Sequence, residues 1–228
     1  MEQTGDLGEK LGAELDVETV FTVFGVPVYE SVVVTWIIMA VIVIACICLT
    51  RNLKVENPGK VQLFLESVFS AGYKFFYDIL GENGKQYIGY LMTVILYIGF
   101  ANIIGIFGFK SPTKDLNVTI ALALMSIVLI EASALKFKGS KKFLKSFAEP
   151  IAIITPINIL ELIIRPLSLC MRLFGNVLGS FVIMELLKNI CPLFLPVPFC
   201  LYFDIFDGLI QAYVFVFLTS LFMKEGLE

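Results

Sequence analysis

Six polar side chains interrupt an apolar stretch in the last third of the chain. The segment NILELIIRPLSLCMRLFGN sets Asn158, Glu161, Arg165, Ser168, Arg172 and Asn176 at intervals of three, four, three, four and four, which on an α-helix puts all six on one face. An arginine near a bilayer centre costs about 2.5 to 3.5 kcal/mol on insertion scales, so a polar stripe kept there implies an ion path or a paired network. Free guanidinium has a pKa above about 12, so Arg172 is a fixed charge and a poor proton carrier. It lies deep in the apolar run. Arg165 is nearer one end, where it is either part of the path or half of a pair with Glu161, four residues away.

A second polar lane follows in FDIFDGLIQAYVFVFLTSLF, where Asp204, Asp207 and Gln211 fall at i, i+3 and i+7. Burial raises a carboxylate's pKa and so lets it exchange protons near neutral pH. Glu185, thirteen residues after Arg172, points about 140° away from it around the helix. It would line an entrance separate from the arginine, unless it and Asp204 are merely hydrated near the outer surface. Asp207 lies about one turn deeper. Pro166 removes one backbone donor, and Gly175 and Gly179 allow a neighbouring helix to approach closely.

Other chemistry is thin. With no histidine, the commonest transition-metal ligand is missing, as is any Ser-His or Cys-His pair. Four of the five cysteines lie inside apolar runs, where they act as small hydrophobes. Cys191 and Cys200 bracket a Pro-containing turn and are the one pair placed to meet. GENGK at 81 to 85 lacks the GxxxxGK spacing of a phosphate loop. No metal and no cofactor is expected, and any nucleotide chemistry falls to partner subunits.

The elements holding these residues belong in a bilayer. Of the 228 residues, 58% are apolar and 16% charged, with a net charge of −3 and a mean hydropathy of +0.88, well outside the soluble range. Basic residues cluster in loops, so no nucleic-acid partner is expected. The acidic start MEQTGDLGEKLGAELD lacks the pattern of a secretory signal, so the first apolar segment is expected to be a retained helix. Runs of about 20 apolar residues predict five transmembrane helices, near 31 to 49, 87 to 108, 116 to 135, 155 to 188 and 199 to 223. The fourth is too long to cross perpendicularly, so the last two spans form a long tilted hairpin.

Between the first two spans, VQLFLESVFSAGYKFFYDIL places Gln62, Glu66, Ser70, Lys74 and Asp78 four apart, the pattern of one amphipathic interfacial helix. The expected fold is an all-α membrane protein, with an extracytoplasmic N-terminal segment at 1 to 30 and a single membrane domain at 31 to 228. Alternating crossings put eleven of the seventeen basic residues on one side, among them Arg51, Lys54, Lys141 and Lys224. The positive-inside rule then predicts an N-terminus outside and a C-terminus in the cytoplasm.

RPLSLCMRLFGN followed by GLIQAYVFVFLTSLF resembles the signature of the F-type ATP synthase a subunit, bacterial type, with support from ANIIGIFGF at 101 to 109 and SPTKDLNVTIALAL at 111 to 124. The resemblance runs from about residue 30 to 223. It implies an ion-translocating stator subunit that offers two half-channels to a ring of c subunits, coupling proton or sodium flow to rotation and ATP synthesis. It is not catalytic alone. Implied partners are the c-subunit ring, the b-subunit peripheral stalk, the remaining synthase subunits and membrane lipid, and the implied location is a bacterial plasma membrane.

Arg172 falls at the family's essential arginine. Asn176 and Gln211 match its polar neighbours, Asp204 an ionisable position, and Glu161 and Ser168 positions toward the cytoplasmic exit. The chain departs from the pattern at Phe181, nine after the arginine, where many members carry an acid or histidine; Glu185 is the proposed substitute. A secondary transporter is the other reading that midplane polar residues allow, but its usual inverted repeats and broken helices are not found. An intramembrane enzyme would need a nucleophile and base or a metal site.

Overall fold

In the computed structural model, the residues described are 19–23, 26–51, 53–54, 58–107, 111–139, 155–190 and 196–227. The side chains of Glu185 and Asp204, and the pairing of Cys191 with Cys200, lie outside what is described. The sequence reading gave no structure to the N-terminal segment, yet part of it forms a hairpin. β1 (Thr19–Val23) pairs antiparallel with β2 (Val26–Tyr29), with Thr22 opposite Pro27. TVFTV and VPVY carry the β-branched and aromatic residues that suit strands, and in a two-stranded ribbon Pro27 always has an edge to sit on.

The membrane body is helical. Among the described residues five helices are long and apolar enough to cross a membrane, which makes this an all-α membrane protein of the expected class. α1 (Glu30–Thr50) is apolar almost all round and buries only Ser31, Val34 and Ile38, leaving Trp36, Val43, Ile44 and Ile47 exposed. Such a helix suits lipid on most of its surface.

α2 (Lys60–Gly84) is the amphipathic helix. Val61, Leu63, Phe64, Val68 and Phe69 are exposed on it, while Phe76 and Leu80 are buried at its far end. Gln62 ties the preceding linker down, exchanging two 3.0 Å hydrogen bonds with the Lys54 backbone and donating to Glu66 at 2.7 Å. The chain then corners at Gly81, with φ 65° and ψ −166°, a conformation essentially reserved for glycine. A 3-10 turn, Lys85–Tyr87, leads into α3 (Ile88–Ile103). The second span, expected to reach 108, stops being α-helical at Ile103 and continues as the 3-10 turn Ile104–Phe107. Sixteen α residues give about 24 Å and four 3-10 residues about 8 Å, together enough for the hydrocarbon core.

α4 (Leu116–Lys138) starts on Asp115, whose carboxylate accepts from the Asn117 backbone N–H at 2.9 Å and from Ser31 Oγ at 2.5 Å. The N-cap thus also fastens the top of α1. α5 (Thr155–Ile190) has 36 residues, about 54 Å at 1.5 Å per residue, so it must tilt to stay within a core about 30 Å thick. A short helix α6 (Pro196–Leu201) and a π-helical turn, Tyr202–Asp207, lead into α7 (Gly208–Leu227).

α7 is the hub. It buries Gln211, Ala212, Phe215, Val216, Thr219 and Met223 against α2, α3 and α4, while α5 packs mainly on α4 through Leu169, Cys170 and Leu173. Small residues bring the backbones close, as membrane helix packing requires. A Cβ built on Gly226 would stand 3.0 Å from Ala134 Cβ, and one on Gly208 only 2.8 Å from Asn102 Cβ.

Candidate ion-pathway site

α5 has two distinct faces. Leu169, Cys170 and Leu173 are buried against α4, where Thr119 Oγ1 lies 3.4 Å from Cys170 Sγ. On the other side Ile157, Leu160, Ile164, Leu167 and Met171 are exposed, spaced three and four apart as one apolar stripe. Glu161, Ser168 and Arg172 are exposed with them, and Asn158, Arg165 and Asn176 are half-buried. The polar stripe read from the sequence is therefore present on one helix, and its deepest charge lies beside an apolar surface that none of the described residues covers.

The two arginines have different company. Arg165 Nη2 lies 3.0 Å from Glu161 Oε1 on its own helix, and 2.9 and 3.0 Å from the two carboxylate oxygens of Glu225 on α7. Its guanidinium also sits 4.9 Å from the centroid of the Phe222 ring, a cation-π contact. Of the two sequence readings of Arg165, the pair with Glu161 is present, enlarged by a partner from another helix. Arg172, two turns further along, makes no ion pair or hydrogen bond among the described residues.

The second lane begins in the π-helical turn. A π-turn has about one extra residue per turn, which rotates Asp204 relative to the positions after it; such turns recur at functional sites. Asp207 is half-buried at the turn's end. Gln211 is buried, and its Nε2 finds no hydrogen-bond partner among the described residues. No hydrogen bond or ion pair joins Arg172 to Asp207 or Gln211 among the described residues. The helices thus present a fixed cation and a half-satisfied polar lane as separate features.

Beside that lane is a buried network the sequence reading missed. Asn102 Nδ2 donates to the Gly208 carbonyl at 2.9 Å, Thr113 Oγ1 donates to Asn102 Oδ1 at 2.9 Å, and Ser111 Oγ donates to the Ala101 carbonyl at 2.6 Å. These residues come from ANIIGIFGF and SPTKDLNVTIALAL, so the motifs fasten the start of α7. Next to them, Lys114 Nζ lies 3.4 Å from the centroid of the Phe181 ring. The position where the resemblance implies an acid or histidine thus carries an aromatic face that receives a lysine. Glu185 is one turn beyond Phe181 on α5, and Asp204 is within the π-turn.

Glu225 and Glu131 were also missed. Glu131 had a signal, being the only carboxylate in the span 116 to 135. Glu225, close to the chain end, reads as a solvated charge until its helix is placed.

Comparison with known proteins agrees with this layout. The family model described as ATP synthase A chain matches residues 32–224. "ATP synthase subunit a, sodium ion specific" of Propionigenium modestum is 32% identical over 221 residues, covering 90% of this chain and 76% of that protein. "ATP synthase subunit a" of Moorella thermoacetica is 32% identical over 207 residues, covering 90% and 94%. "ATP synthase subunit a" of Legionella pneumophila strain Philadelphia 1 is 30% identical over 209 residues, covering 91% and 90%. With five spanning helices and a family match over nearly its whole length, the chain belongs to the ATP synthase A chain family, multi-pass membrane subunits that move ions in the synthase's membrane sector and are not catalytic by themselves.

Proposed function

We propose that Arg172 is the charge this stator subunit presents to a rotating c-subunit ring, between two offset half-channels that couple cation flow to rotation and ATP synthesis. The observation that carries this reading is the exposed Arg172 beside the apolar stripe of α5, unpaired among the described residues while Arg165 is paired with Glu161 and Glu225. An arriving ring carboxylate loses its ion beside the guanidinium, and the positive charge blocks direct passage between half-channels. The attraction stays reversible because water in the half-channels screens it. Each elementary charge crossing 100 mV releases about 2.3 kcal/mol, so several ions must pass for each ATP.

Glu185, Asp204, Asp207, Gln211 and Asn176 line the outer half-channel, and Ser168 with Glu161 the cytoplasmic one. The unpartnered Gln211 amide supports the first assignment, as a donor free for water or a passing carboxylate. The coupling ion, proton or sodium, is the one selected at the ring's own carboxylate. Residues 31 to 228 form one membrane domain behind an extracytoplasmic segment at 1 to 30, with the C-terminus in the cytoplasm of a bacterium. The b-subunit stalk holds this domain against the ring's drag.

The test is ATP synthesis driven by an imposed ion gradient in vesicles carrying the whole complex with Arg172→Ala. Synthesis is expected to vanish while ATP hydrolysis by the assembled catalytic sector persists. Normal synthesis would make the arginine structural and end this reading.

A further inference from the structure

Arg165 and Arg172 are seven residues apart on α5, which places them within about 20° of the same azimuth and about 10.5 Å apart along the axis. A carboxylate travelling past Arg172 is therefore within electrostatic range of Arg165 as well: about 10.5 Å exceeds the Debye length of about 8 Å in physiological saline, but partly buried charges are screened much less. A second exposed guanidinium on this stripe would compete for the same carboxylate.

The layering around Arg165 prevents that. Its side chain is 14% exposed, whereas those of Glu161 and Glu225 are 50% and 62% exposed, so the cation lies inside and the carboxylates outside. Glu225 contributes both oxygens and Glu161 one, all on the same Nη2, and Glu131 of α4 is within electrostatic reach of both Arg165 and Glu225. Lys138 Nζ donates to the Glu225 backbone carbonyl at 3.3 Å, and the Phe222 ring covers the guanidinium. Counting Arg165, Glu161 and Glu225 alone, the group is net negative toward its surroundings.

We propose that Glu225, together with Glu161, masks Arg165, so that the ring's carboxylate meets a single uncompensated cation, Arg172, along this stripe. The proposal rests on the reading of Arg172 as the ring-facing charge. Partly exposed ion pairs add little to stability, and α7 is already anchored by Phe215, Val216 and Met223. The carboxylates therefore act mainly through the field they cancel, and Glu225 is a positioning residue for the charge pattern, acting through Arg165.

An epistasis experiment separates this from a simple helix clamp. Gradient-driven ATP synthesis is measured in vesicles containing the whole complex with Glu225→Gln, Arg165→Gln or both, normalised to assembled complex. Glu225→Gln is expected to lower synthesis roughly threefold or more, Arg165→Gln to stay within about twofold of the unmodified complex, and the double variant to recover to that level. Glu225→Asp, which keeps the charge and shortens the reach, is expected to fall between and serves if the glutamine variant assembles poorly. A clamp gives the opposite pattern, with Arg165→Gln as damaging as Glu225→Gln and no recovery in the double variant; that result, or full activity in both Glu225 variants, overturns the proposal. Arg172→Ala in the same vesicles separates the two ideas: retained synthesis removes the ring-facing reading, whereas lost synthesis without the rescue removes only the mask.

Discussion

Arg172 and Arg165 share a side chain and a stripe, and what distinguishes them is the end of a different helix. The sequence shows two guanidinium groups with a carboxylate four residues before the first, enough to anticipate the Arg165–Glu161 pair. It could not show Glu225 reaching the same nitrogen from sixty residues away, because that contact depends on how α5 and α7 are placed. At the outer end, Phe181 accepts the Lys114 cation on its ring face, a contact worth about 0.5 to 2 kcal/mol depending on its hydration. It has no proton to exchange, and in the proposed reading the ionisable role belongs to Glu185 on the following turn. Glu185→Gln is therefore expected to slow gradient-driven synthesis several-fold more than Phe181→Leu. Equal, negligible effects in the same vesicle assay would remove Glu185 from the path.

Helix existence was legible because hydropathy and length report it directly: the spans near 31 to 49 and 116 to 135 sit inside Glu30–Thr50 and Leu116–Lys138. Helix ends were less so. The second span was expected to run about 1.4 turns past Ile103, but the chain tightens there into a 3-10 turn, and hydropathy does not tell one helical pitch from another. The π-turn at Tyr202–Asp207 escaped for the same reason, and the β1–β2 hairpin because its strands are too short to give a clear period. Gly208, directly after the π-turn, is the position where an element depends on one missing side chain. Its Cβ would stand 2.8 Å from the Cβ of Asn102, which has no flexible end to move aside. Gly208→Ala must therefore push α7 away from α3 and stretch the bond from Asn102 to the Gly208 carbonyl. The expected cost is about 1 to 3 kcal/mol, as for other overpacked cores. Thermal dissociation of the detergent-extracted complex at an unchanged midpoint would contradict it.

For the whole molecule, the positive-inside reading predicts two faces that a reagent can distinguish. Thr22 in β1 and Glu82 just after the Gly81 corner are both exposed, and the predicted topology puts them on opposite sides of the bilayer. In a chain whose native cysteines are replaced by serine, Thr22→Cys is expected to react with a membrane-impermeant maleimide in intact cells. Glu82→Cys is expected to react only in inverted vesicles, and the reverse pattern would invert the topology. Orientation is predicted from charge, and the labelling pattern is what decides it. Placement of α7 at the hub was not legible, because hydropathy does not mark the enclosed helix: the segment from Gly208 to Leu227 is less apolar than the lipid-facing Glu30–Thr50. Which helix is enclosed is decided by residues such as Gly208, Ala212, Thr219 and Gly226 that let others close around it.

The exposed stripe on α5 also bears on how the complex is built. Arg172 has no counter-ion among the described residues, and an arginine held so against lipid costs about 2.5 to 3.5 kcal/mol to insert. Ile157, Leu160, Ile164, Leu167 and Met171 beside it are exposed. A ring of acid-bearing helices relieves both conditions in one encounter. If Arg172 is the ring-facing charge proposed above, the same residue makes the orphan subunit a species worth removing and favours docking onto a finished ring over waiting in the bilayer.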